Sequence, residues 1–178
     1  MSASSFRAAA LALAALAWQC GAHAQQGAPE HAAKAALVFH FAVFTSWPAE
    51  ALPAPGEPFV LCYADERMTA AFASLSGKTV HGRRLAARRL AAGAAPEGCH
   101  VGYWPAQARV PPGSDARRST LLVAESAGFA GRGGMIELDV EDARMAFEVN
   151  VDSTRAAGLR PSSKLLRLAR KVHGHVDD

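Results

Sequence analysis

Four side chains in this sequence have the chemistry of a general acid–base centre: His81, His100, Glu125 and Asp139. An imidazole held against a carboxylate can move a proton near neutral pH. These four come from separate segments, however, and nothing in their spacing requires them to converge. Cys99-His100 offers a thiol beside an imidazole, the pair a cysteine nucleophile needs. Adjacent residues of a strand point to opposite faces, so the two side chains would not meet productively. The run Ser126 to Gly134, SAGFAGRGG, has the glycines and the arginine of a phosphate cradle. A phosphate loop follows a strand and opens a helix. This one leads into the strand-like MIELDV, so tight turns are the better account. His40 lies inside an apolar helical run and reads as a hydrogen-bonded core histidine rather than a ligand. No catalytic residue, metal cluster or cofactor site is assigned.

The elements that would position these groups begin with an export signal. Arg7 gives a positive start, Ala8 to Ala17 is apolar, and Ala22-His23-Ala24 is an A-x-A-like cleavage site. An apolar run of about ten residues is half of what a membrane-spanning helix needs. Cys20 would suit a lipoprotein, but bulky Trp18 and Gln19 precede it. Cleavage is expected near Ala24, leaving residues 25–178 as one domain with a core from about 32 to 172. The mature chain would carry 18 basic and 16 acidic residues. That balance excludes nucleic acid or an anionic membrane as the obvious partner. Two cysteines remain, Cys62 and Cys99, and in an oxidising compartment an isolated pair reads as a disulfide.

The coarse reading is α/β: one mixed sheet of about six strands flanked by about five helices. Glu30 to Ser46 forms an apolar helix, hydrophobic nearly all round and therefore expected to be central and buried or at an interface. Strands follow at Phe59 to Tyr63, Arg83 to Leu90 (weakly alternating, an exposed or edge strand), Cys99 to Trp104 and Thr120 to Ala124. A helix around Met68 to Leu75 takes Asp65 as its N-cap. Pro105 to Arg118 is proline-rich and reads as the mobile region. Met135 to Val140 and Arg144 to Asn150 pair as a hairpin. Asp152 is expected to cap a short helix. Ser162 or Ser163 caps a last one, SKLLRLARKV, with Leu165, Leu166, Leu168 and Val172 as its buried stripe.

The order of these segments resembles the YfiR family. The carriers are KAALVFHFAVFTSWP, FVLCY, GKTVHGRRLAARRL, CHVGYW, LLVAESAGFAGRGGMIEL and RMAFEVNVDSTRAAGLRPSSKLLRLA, covering roughly Ala32 to Val172. The resemblance implies a periplasmic, non-enzymatic α/β protein that represses an inner-membrane diguanylate cyclase through the cyclase's periplasmic region. It further implies sequestration by an outer-membrane lipoprotein of the OmpA type, and a homodimer. The Cys62–Cys99 bridge recurs in the family; the second cysteine pair of some members is absent here. Three surfaces could meet a partner: the first helix, the loop Phe129 to Gly134 with Arg132, and the basic face of the last helix. Phe129, Arg132, Arg155 and Ser162 are put forward as candidate partner contacts.

Overall fold

The computed structural model describes residues 22–111, 119–141 and 144–175. Helix α1, Ala22–Val43, leads through the two-residue β1, Thr45–Ser46, to β2, Phe59–Tyr63. A short turn of 3₁₀ helix and α2, Thr69–Ala73, cross over to β3, Thr79–Val80, and β4, Arg83–Arg89. Then come β5, Val101–Trp104, β6, Leu121–Ala124, and the hairpin of β7, Ile136–Glu141, with β8, Arg144–Asn150. The chain finishes with α3, Val151–Ala156, β9, Arg160–Pro161, α4, Ser163–Leu168, and β10, Lys171–His173.

Eight strands make one mixed sheet in the order β10-β8-β7-β6-β5-β2-β4-β3, and β1 pairs with β9 in a second, two-stranded sheet. The expected mixed α/β domain is therefore present, with eight strands in its sheet rather than about six and four α-helices among the described residues. The extra strands are two or three residues long, too short to leave a period in the sequence. Strands β4-β2-β5-β6-β7 are mutually parallel, the order of a doubly wound sheet with its reversal between β2 and β5. Their near-continuous apolar runs follow from cover on both faces: every residue of β5 and of β6 is buried.

The core joins α1 to the sheet. Phe41 meets Phe147 of β8 at 4.9 Å between ring centroids. Trp47 stands edge-on to Phe59 at 5.1 Å, and its indole N–H donates to the Ser119 carbonyl at 2.7 Å. Buried Trp is satisfied this way at its polar end. His81 Nε2 donates to the Thr45 carbonyl at 2.7 Å and lies 3.1 Å from that of Ala42, capping the last turn of α1. Cys62 and Cys99 form the expected disulfide, tying β2 to the segment just before β5 with Cα atoms 5.8 Å apart.

Three expectations need correction, and one open alternative is decided. Helix α1 buries only one side: Val38, Phe41 and Ala42 are inside, whereas His40 is exposed and is no core histidine. The N-cap of α3 is Asn150, whose side chain accepts from Ser153 N–H at 2.9 Å, rather than Asp152. Helix α4 stops at Leu168, because Arg170 N–H pairs with the Phe147 carbonyl at 2.8 Å and residues 171–173 join β8 as a parallel strand. Leu168 is accordingly 65% exposed instead of belonging to a buried stripe. Ser162, not Ser163, caps α4, accepting from Leu165 N–H at 3.3 Å. Most of the signal segment lies outside the described residues, as do residues 112–118 of the proline-rich stretch.

Candidate functional site

The four acid–base candidates do not assemble. Each has its own partners. His81 caps α1, and His100 Nδ1 accepts from Val60 N–H at 2.9 Å while its ring stacks on Phe59 at 4.5 Å. Burial pushes the His100 imidazole below its ordinary value. Asp139 receives Arg170 at 2.7 Å. Glu125 takes the Lys34 ammonium at 3.0 Å and the Tyr103 hydroxyl, at the carboxyl end of the strands near the sheet's reversal. That edge is where open α/β sheets receive ligands; here Lys34, only 8% exposed, reaches in from α1 and meets the carboxylate. Desolvation, then the Glu125 charge, drives the Tyr103 hydroxyl far up. Burial disfavours the Lys34 cation, but its bonds to Glu30 and Glu125 outweigh that and hold it above the ordinary lysine value. Among the described residues no three His, Cys, Asp or Glu side chains are grouped to hold a metal.

The glycine loop is occupied from within. The Glu137 carboxylate accepts from Gly128 N–H at 2.8 Å and Ala130 N–H at 3.1 Å, the donors that a phosphate would have used. Phe129 lies against Gly134, where a Cβ would come within 2.4 Å of the ring. Arg132 donates to the Ala127 carbonyl at 2.7 Å. Arg155 donates to the His175 carbonyl at 2.5 Å, and Ser162 is spent on the α4 cap. Each of the four contact residues thus has a packing or hydrogen-bonding task inside the chain. Phe129 and Arg132 sit in the glycine loop, whereas Arg155 borders a cleft on the other side of α3.

That cleft, of about 620 Å³, has Val151, Leu159 and Leu166 as its apolar walls and Arg155 and Arg160 as its cations. A neighbouring cleft of about 420 Å³ shares Gly158 and Arg160 and extends to Trp47. The β1–β9 pairing, Thr45 opposite Pro161, and the Ser162 N–H to Phe44 carbonyl bond at 2.8 Å hold its two sides together.

Beside it, two of the three sequence-level surfaces merge. Lys164 of α4 lies over the Phe44 ring at 4.7 Å, and His40 stacks on Phe44 at 5.9 Å. Phe39 meets His40 edge-on at 5.7 Å, and Lys78 covers Phe39 at 5.9 Å. The outer face of α1 and the basic face of α4 are therefore one surface. Sequence reasoning missed a signal for it. Residues 31–49, 67–96 and 153–175 hold thirteen Lys and Arg and no acidic residue. A near-neutral total hides that clustering along the chain, although in the fold Lys34, Arg67, Arg89 and Arg170 pair with acids from outside these segments.

The fold is a single mixed α/β domain that carries two adjoining clefts and a continuous surface along α1 and α4. Comparison with protein-family profiles matches residues 31–170 to the YfiR/HmsC-like family, DUF4154, and the chain belongs to that family. No curated protein matches it. Among the described residues no helix is long and apolar enough to cross a membrane.

Proposed function

We propose that the chain is an exported periplasmic regulator that binds the periplasmic region of an inner-membrane diguanylate cyclase and holds the enzyme inactive, lowering cyclic di-GMP and biofilm formation. The family match over residues 31–170 carries this reading. The Cys62–Cys99 bridge supports it, since such bonds persist in oxidising compartments. So does the use of each candidate acid, base and thiol in holding the fold. On this reading the protein is not an enzyme. Its leader, residues 1–24, is removed between Ala24 and Gln25, after the Ala22-His23-Ala24 motif.

Repression of this kind is a population shift. The regulator must bind the inactive arrangement of the receptor more tightly than the active one, and only that difference does work. Turning a receptor from mostly active to mostly inactive needs about 5.5 kcal/mol of differential affinity. An OmpA-type outer-membrane lipoprotein would relieve repression by competing for the regulator, and a homodimer would present two contact surfaces at once. Phe129, Arg132, Arg155 and Ser162 belong to the proposed contact regions.

Affinity purification of the cross-linked protein from membranes tests the binding. Recovery of a membrane protein carrying a diguanylate cyclase domain is expected; its absence under conditions that recover other envelope proteins contradicts the proposal. A second reading has one observation in its favour. The cleft bordered by Arg155 and Arg160 combines an apolar wall with cations at a size that admits a small molecule. An anionic ligand there would raise the melting temperature, and substituting Arg160 would remove that rise.

A further inference from the structure

The surface where α1 meets α4 has a composition that selects its occupant. From Lys78 the rings of Phe39, His40 and Phe44 run without a break to Lys164, each within 5.9 Å of the next. Leu168 lies one helical turn beyond Lys164 on the same face of α4 and is the one large apolar side chain left exposed among the described residues. Arg167 stands exposed beside it. The two phenylalanines are half-buried, so the strip is a shallow apolar track with cations laid along it. Neither α1 after Glu30 nor α4 contributes an acidic residue, and neither does any position from 67 to 96.

We propose that this strip is a docking surface for an acidic amphipathic segment of a protein partner, with apolar side chains on Phe44 and Leu168 and carboxylates on Lys78, Lys164 and Arg167. The proposal rests on reading the chain as a partner-binding regulator, without depending on which membrane protein is bound. Charge complementarity decides the occupant. A second copy would bring the same cations against themselves. A lipid surface takes up faces with several protruding large apolar groups, and here a single leucine protrudes while the rings are half-covered. An amphipathic helix laid along a track needs only alternate apolar anchors.

The test uses the mature protein and a synthetic amphipathic helix of about five turns, leucine on one face and glutamate on the other, with a lysine-for-glutamate version as control. The double substitution Leu168→Asp with Lys164→Glu alters two exposed side chains, and an unchanged melting temperature verifies its fold. The glutamate peptide is expected to bind at least about tenfold more tightly than the lysine peptide and to lose about tenfold on the double variant. A photo-crosslinker placed at position 168 in the periplasm is expected to label an acidic, apolar-anchored segment identified by mass spectrometry. Equal affinity for the two peptides overturns the proposal, as does full binding by the double variant, a crosslink to a second copy of the chain, or capture by phosphatidylglycerol vesicles that the variant abolishes. A double variant that loses the peptide yet still lowers cyclic di-GMP leaves the docking surface standing and removes its link to the cyclase.

Discussion

Glu137 accepts the backbone N–H of Gly128 at 2.8 Å, and its second oxygen takes that of Ala130 at 3.1 Å, so one buried carboxylate organises the whole glycine loop. Asn150 adds a bond from its side-chain amide to the Ala130 carbonyl at 2.8 Å, and Ser153 donates to the Gly133 carbonyl at 2.9 Å. The loop that looks like a ligand cradle is thus a joint between β7, β8 and α3.

Removing that carboxylate should be costly. Glu137 is 6% exposed, and Glu137→Ala leaves two N–H groups without acceptors. A loss of about 2–3 kcal/mol is expected, because charge-assisted bonds are worth about that and buried donors are penalised when unpaired. Glu137→Gln keeps one acceptor and should lose about half as much. Urea unfolding of the three proteins decides it; an unchanged midpoint for the alanine variant contradicts the joint.

The buried ion pair gives a second expectation. Lys34→Met leaves Glu125 facing Tyr103 without its cation, and Glu125→Gln leaves Lys34 with only the more exposed Glu30. Each single substitution should cost about 3 kcal/mol, since breaking one side of a buried pair strands the other. The double substitution should cost less than the sum by about 1 kcal/mol or more. Additive losses in a thermal or urea double-mutant cycle would show that the two groups do not act together.

Cys62 and Cys99 should resist thiol labelling in the denatured, oxidised protein and label fully after reduction. Replacing both by alanine is expected to cost roughly 3–4 kcal/mol, the loop-closure entropy of a bridge spanning 37 residues. Free labelling without reductant would remove the bridge from the account.

Glu148 sets an acid limit. A hydrogen bond from His173 at 2.7 Å and the Arg170 guanidinium at 3.0 Å hold its carboxyl below the ordinary glutamate value, against a smaller push from desolvation. A carboxyl depressed in the folded state stabilises above its unfolded value of about 4.3 and loses that contribution as pH falls through its folded value. The melting temperature of the native protein should therefore exceed that of Glu148→Gln near neutrality and converge with it as pH drops below about 4. A gap that persists at pH 3 would mean the pairing is not electrostatic.

Much of the scaffold was legible because its signals are local. The apolar runs of β2, β5 and β6, the hairpin, the Asp65 cap and the cysteine pair all appear where residue type and spacing put them. The misreadings fall where distant partners decide. The helical pattern of α4 continues through Lys171 and Val172, but the free edge of β8 takes these residues as a strand. His40 looked internal because its neighbours are apolar; it stands instead on the outer face of the helix, exposed between the half-buried rings of Phe39 and Phe44. The acid–base candidates could not be sorted by sequence, since the partners of Glu125 and Asp139 are Lys34 and Arg170, 91 and 31 residues away.

Cyclic di-GMP measured in cells lacking the gene tests the central claim most directly. The account predicts a rise on deletion, a fall back when the exported chain is supplied from a plasmid, and no fall when the same chain is supplied without its leader. A level unchanged by deletion across several growth conditions would contradict it.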